Sequence, residues 1–180
     1  ITDKYDIIMS GMTITQQRNL EVNFSDPYIV VGQTVLLRNS LASTIKSAKD
    51  LDKPEYTIVT KLGVTGEIAT RKFFKKAKIV TFETESDATS EVLNGKADAM
   101  VYDQPYNVVF MSDKGKDKLV HLDTSLTYEP LGFAIRKGDP DFLNWLNNFI
   151  RQSKEDKVVG FSDELYNKWL VDTSWLQRVQ

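Results

Sequence analysis

The 180-residue sequence predicts an α/β protein folded as two lobes. Three observations carry that expectation. Short apolar runs alternate with amphipathic stretches of helical length, the pattern of βαβ units and a mainly parallel sheet. Two extended runs, 29–36 and 130–135, bracket the middle of the chain, and the last third turns helical. The order is a little α/β, a compact α/β block, and a tail that returns to complete the first lobe. Residues 1–33 and 133–180 then form lobe 1 and residues 34–132 form lobe 2. A cleft between lobes is a common place for a small-molecule site.

Taken in order, residues 6–9 read as a buried strand, followed by a polar turn and a helix near 15–21. Residues 30–38, VVGQTVLLR, form one long β-rich run. Further strands are expected at 56–60, 78–82, 97–102, 118–121 and 132–136, with helices near 65–77, 86–93 and 105–111. Asp139 and Pro140 start a longer helix as N-cap and first helical residue. There Phe142, Leu143, Trp145, Leu146, Phe149 and Ile150 recur at helical spacing. A second amphipathic helix near 163–170 follows Gly160.

Composition narrows the function. Hydrophobic residues make up 41% and charged residues 27%, ordinary for a globular chain long enough to bury a core. Lys plus Arg number 23 against 25 Asp plus Glu, for a net charge of −2 and a pI near 5.5. That balance argues against a nucleic-acid partner. With no cysteine, disulfides, thiolate chemistry and Cys-ligated zinc are excluded. A single histidine, His121, argues against a His-rich metal site or a Ser-His-Asp enzyme, and no metal or organic cofactor is implied. No apolar run approaches the ~20 residues of a membrane span. The start at Ile1, without Met or signal peptide, reads as a processed, truncated or engineered product.

Three turns could carry chemistry. Ser10-Gly11-Met12-Thr13-Ile14-Thr15 ends a strand and leads to Arg18 on the next helix. Backbone N–H groups, Thr hydroxyls and a guanidinium fork suit a carboxylate; the plainer reading is a helix capped by Thr15 with Arg18 solvated. Leu62-Gly63-Val64-Thr65-Gly66-Glu67 could hold an anion with amides and the Thr65 hydroxyl, or be a structural glycine turn. Asp103 follows an expected parallel strand, Ala97 to Tyr102, at the C-terminal end where ligands of open α/β sheets gather. It could pair with an ammonium, cap the helix at Pro105, or do both. The run Arg71, Lys72, Lys75, Lys76, Lys78 reads as a solvated face, with Phe73 and Phe74 in the core. Trp145, Trp169 and Trp175 read as packing residues, and His121 as a strand-end residue.

The ordered set YDIIMSGMTITQQR, VNFSDPYIVVGQTVLLR, KLGVTGE, LNGKADAMVYDQP, YEPLGFAIRKGDPDFLNWLN and DELYNKWL resembles the extracellular solute-binding proteins of family 3, the polar amino-acid receptors of ABC transporters. The resemblance runs nearly the whole length and implies the two-lobed type II periplasmic-binding-protein fold. It implies that Ser10, Gly11, Thr13 and Arg18 on one lobe, with Thr65 and Gly66 on the other, hold a ligand α-carboxylate. Asp103 would hold the ammonium. It further implies a free amino acid as ligand, an ABC permease as partner, and a periplasmic or membrane-tethered extracellular location. The acids near the turns lean towards a cationic amino acid.

Two departures qualify the match. The family begins with a strand–helix–strand that this sequence lacks, so lobe 1 is expected to be incomplete, and an N-terminal-segment chain or a domain-swapped copy would complete it. Residues 157–162, KVVGFS, stand where relatives have a shorter turn before the last helix. The resemblance extends to a subset close to cyclohexadienyl dehydratases, which eliminate water and carbon dioxide from prephenate or arogenate. That carbon–oxygen lyase is the alternative to a receptor; it needs a protonated general acid, for which Asp103, Glu67 and Glu129 are the cleft candidates. A sensor domain of a membrane receptor is a third reading.

Overall fold

A computed structural model describes residues 4–155, 163–172 and 174–175. Strand β1 (Ile7–Ile8), helix α1 (Gln16–Asn19), β2 (Asn23–Phe24), β3 (Ile29–Val31) and β4 (Gln33–Arg38) open the chain. Then come β5 (Thr57–Lys61), α2 (Thr65–Phe73), β6 (Lys78–Phe82), α3 (Glu85–Leu93), β7 (Ala99–Asp103), α4 (Gln104–Ser112) and β8 (Leu119–Leu122). Strands β9 (Glu129–Leu131) and β10 (Ala134–Ile135), then α5 (Pro140–Glu155) and α6 (Asp163–Tyr166), follow, and a π-helical turn at Asn167–Val171 extends α6. Two compact units result: Ile1–Val31 with Glu129–Asp172, and a second built on Gly32–Tyr128.

The second unit carries a five-stranded sheet in the order β6-β5-β7-β4-β8. Its strands alternate with period two. Val35, Leu37, Ile58, Ala99 and Val101 face a core shared with Ile45, Leu51 and Phe74. Leu36, Val59 and Met100 face a core with Ala88, Val92 and Leu119. Covered on both sides, β4 reads as the continuous apolar run of a buried strand. The expectation of a mainly parallel sheet needs correction: β5 runs parallel to β6 and β7, but β4 runs antiparallel to β7 and β8. No full crossover helix joins β4 to β5, only two short 3-10 turns, so the βαβ rule does not set its direction.

The single β run expected over 30–38 is two strands. Gly32 divides them: its carbonyl accepts from Gln104 N at 2.9 Å, and a Cβ there would collide with the Ser125 side chain. Helix α2 also stops short, at Phe73. Asp52 Oδ1 accepts the backbone N–H groups of Lys75 and Lys76 at 2.7 Å each, and that of Ala77 at 3.3 Å, which pulls the chain out of the helix. Of the aromatic pair, Phe74 is buried but Phe73 is exposed.

Among the described residues, every strand pairing of the first unit is antiparallel. Sheet β1-β10-β2 pairs Ile7 with Ile135 and Ala134 with Phe24, and β3 pairs with β9 from Ile29↔Leu131 to Val31↔Glu129. Phe133, Ile135, Leu146 and Ile150 form its core, joined by Ile7, Tyr28, Phe142 and Leu143. Asp139 caps α5 as expected, its Oδ1 accepting from Phe142 N at 2.8 Å. Two expectations fail here. The strand over 6–9 is not buried, since Ile8 and Met9 are exposed. Trp145, expected in the core, is 60% exposed: α5 packs through Leu146 and Ile150, and Trp145 lies beside that stripe, stacked between Phe142 and Phe149. Trp169 is exposed as well. Residues 157–162, the expected insertion, lie outside the described residues.

Candidate functional site

In the first unit, the turn after β1 is laid onto β9 by its backbone. Ile14 N donates to Pro130 O at 2.8 Å, Gly132 N donates to Met12 O at 3.1 Å, and Thr13 forms a β-bridge with Leu131. Gly11 enters this path at φ +69°, a left-handed conformation that glycine adopts without a Cβ penalty. Thr13 is buried, Gly11 half-buried and Ser10 exposed. Thr15 caps α1, its Oγ1 accepting from Arg18 N at 3.1 Å.

That capping does not leave Arg18 solvated. The half-buried guanidinium donates through Nη1 to the Thr13 carbonyl at 2.8 Å. One corner of the fork is thus fixed, while its other donors bond to none of the described residues. Such a fork is pre-set for a planar anion. Arg18 also borders an apolar recess of about 420 Å³ beside Ile7, Ile8, Val22 and Ile135, which Ser10, Gly11 and Thr13 do not line.

In the second unit, β5 turns into α2 through Gly63, at φ +75°. Glu67 closes the turn by accepting from Gly63 N at 2.8 Å and from Arg71 Nε at 3.0 Å. The Gly63 N–H, with Arg71, holds this carboxyl below the usual range. Thr65 and Gly66 occupy the first turn of α2. Asp103, the last residue of β7, stands at the N-cap position of α4 but makes no side-chain cap bond. Its Oδ1 instead accepts from Gln33 Nε2 at 2.5 Å, and the same nitrogen reaches Thr65 Oγ1 at 3.3 Å.

Gln33 is the residue that sequence reasoning missed. It lies directly opposite Asp103 across the β4–β7 ladder and is 1% exposed. Its main chain is held by Thr127 Oγ1, accepting from Gln33 N at 3.0 Å, and by Leu126 N, donating to Gln33 O at 2.8 Å. The available signal was an amide inside VVGQTVLLR, where a buried strand has no use for a polar side chain unless it is bonded. Thr65, Gly66 and Asp103 are therefore gathered on one unit around Gln33, and Gly11, Thr13 and Arg18 on the other, with Ser10 at the exposed rim of its turn.

The remaining candidates have structural surroundings. Within β8, His121 Nε2 lies 2.9 Å from Thr34 Oγ1, and burial depresses its pKa against the opposing pull of Asp123. Asn107 Nδ2 donates to that same Thr34 hydroxyl at 3.0 Å. Glu129 is buried, and its Oε2 has no hydrogen-bond partner among the described residues. Among the described residues no cluster of three or more His, Cys, Asp or Glu could hold a metal, and no helix is long and apolar enough to cross a membrane.

The sequence matches the bacterial extracellular solute-binding proteins, family 3, over residues 1–172, and the chain belongs to that family. The glutamine-binding protein of a Bacillus subtilis ABC transporter is 32% identical over 165 residues, 92% of this chain and 58% of its own length. This chain thus spans a little over half of that relative. A Wolinella succinogenes structure, complexed with lysine and described as a candidate binding component of an ABC transporter, superposes with a TM-score of 0.90 at 61% identity. That match covers 98% of this chain and 74% of the other. An ancestral amino-acid-binding protein, a precursor of cyclohexadienyl dehydratase, gives 0.82 at 48% identity, over 94% and 70% of the two chains. Cyclohexadienyl dehydratase itself, from Pseudomonas aeruginosa, is 32% identical over 56% of this chain and 38% of its own.

Proposed function

We propose that the chain binds a free amino acid outside the cytoplasm and delivers it to an ABC permease. Arg18, steadied by the Thr13 carbonyl, takes the α-carboxylate together with the backbone around Gly11. Thr65 and Gly66 add donors from the second unit, and Asp103 takes the ammonium. The observation that carries this reading is Asp103 itself: a carboxylate at a helix N-cap position that caps nothing and is held by a buried amide instead. The lysine-bound relative at 61% identity supports a cationic amino acid as the ligand class.

Dehydration is the weaker reading. A general acid must carry its proton at working pH. Glu67 accepts from Gly63 N and Arg71 Nε, which favour its ionised form and weigh against it among the three candidates. The assignment is tested by calorimetry with lysine on Arg18→Ala and Asp103→Asn. Each variant is expected to weaken binding by several kcal/mol, about 2–5, because each leaves a desolvated charge of the ligand unpaired. Wild-type affinity in either variant overturns that residue's role.

A further inference from the structure

Strand β4 runs Gln33, Thr34, Val35, Leu36, Leu37 with every one of these residues buried. An amide at the head of such a run carries a cost, and here the cost is not fully recovered within the fold. Gln33 Nε2 has two acceptors, Asp103 Oδ1 and Thr65 Oγ1, yet Oε1 has no partner among the described residues, and neither does the buried Thr60 Oγ1 close by. An apolar side chain would fill the same space without an orphaned oxygen. What the amide does supply is direction. It presents N–H groups to a carboxylate and a hydroxyl from a strand that cannot shift, since its backbone is paired to β7 and β8 on both edges.

We propose that Gln33 is the positioning residue of the ammonium half of the site. It fixes the plane of the Asp103 carboxylate and the rotamer of Thr65, and so sets how strongly the protein prefers a ligand with an α-ammonium over one without. Gln33 acts through Asp103 and Thr65, and the inference rests on the reading of Asp103 as the ammonium partner. The close approach of Gly66 belongs to the same device: a Cβ at Gly66 would come 2.9 Å from Gln33 Oε1, so only glycine leaves the amide in place.

The test compares lysine with its α-hydroxy counterpart, identical but for the α-ammonium, by calorimetry on the full chain. Wild type, Gln33→Met and Asp103→Asn are measured, with thermal melts to confirm folding. Gln33→Met keeps the length and volume of the side chain and removes the donor. Its preference for lysine is expected to fall by about tenfold or more, the scale of one hydrogen bond to a charged group, while the hydroxy acid loses less than about threefold. A merely structural role would lower both ligands together. If Asp103→Asn abolishes the preference and Gln33→Met leaves it within about twofold, or weakens both ligands equally, the inference is overturned and the reading of Asp103 stands. If Asp103→Asn leaves the preference intact, or the wild type shows none, that reading falls and the inference with it. Should Gln33→Met fail to fold, Gln33→Asn, whose amide is one carbon too short to reach Asp103, is held to the same expectation and the same overturning result.

Discussion

Gly66→Ala adds one methyl group against the buried Gln33 amide. The new Cβ would lie 2.9 Å from Gln33 Oε1 and 3.3 Å from Thr60 Oγ1. Neither atom can yield cheaply: both residues are buried, and Gln33 holds Asp103 and Thr65 through the other end of its amide. Two opposing effects set the stability. Alanine within a helix is favoured over glycine by roughly 0.5–1 kcal/mol, whereas overpacking a filled site costs about 1–3 kcal/mol. The net change is a loss of about 0–2.5 kcal/mol. Binding should suffer more. A displaced Gln33 releases Asp103 from a hydrogen bond to a charged group worth about 1.5–3 kcal/mol, or roughly 10- to 100-fold in affinity for lysine. Urea denaturation reads the first quantity and calorimetry the second. A Gly66→Ala protein that is stabilised as an ordinary helical Gly→Ala change would be, and that binds lysine like the wild type, would refute the coupling of Gly66 to Gln33.

Three further substitutions report on the scaffold of the second unit. Burial lowers the His121 pKa below its ordinary value near 6.5, so the fold prefers the neutral ring. The stability this contributes is fully present above pH 6.5 and is lost as pH falls from there through the folded-state pKa. His121→Gln should therefore flatten the decline in urea midpoint on acidification from pH 7.5 to 5.5; an unchanged slope would exclude His121 as its source. Phe74→Ala should destabilise by about 3–5 kcal/mol as a fully buried aromatic, and Phe73→Ala by under about 1 kcal/mol. Equal losses in chemical denaturation would contradict the division of that pair between core and surface.

Much of the second unit was legible because its elements are local. The β5–α2 turn, the Pro105 helix start and the strand ending in Asp103 all declare themselves by spacing and punctuation, and Arg18 and Asp103 stand out as charges at element ends. What escaped depends on partners far along the chain. The direction of β4 is decided by its pairing with β7 and β8, far along the chain, as in Thr34↔Tyr102 and Leu36↔His121. Helix α2 ends where Asp52, from the segment before β5, captures three N–H groups, which no local propensity reveals. Gln33 was hidden for the same reason: its significance comes from Thr65 and Asp103, distant in sequence, and its own neighbours merely read as strand. Trp145 shows the opposite error, since its helical spacing is right but it sits on the edge of the apolar stripe of α5 and stays exposed.

The most direct measurement is a thermal-shift screen of the full chain against the proteinogenic amino acids, prephenate and arogenate, with the last two assayed for phenylpyruvate and phenylalanine. A ligand at 100 times its Kd stabilises the folded form by about 2.7 kcal/mol. For a chain of this size that is a rise in Tm of roughly 5–10 °C. A selective rise with lysine or another cationic amino acid, and no product from prephenate or arogenate, is the predicted result. Turnover of prephenate or arogenate, or no rise with any amino acid, would contradict the account.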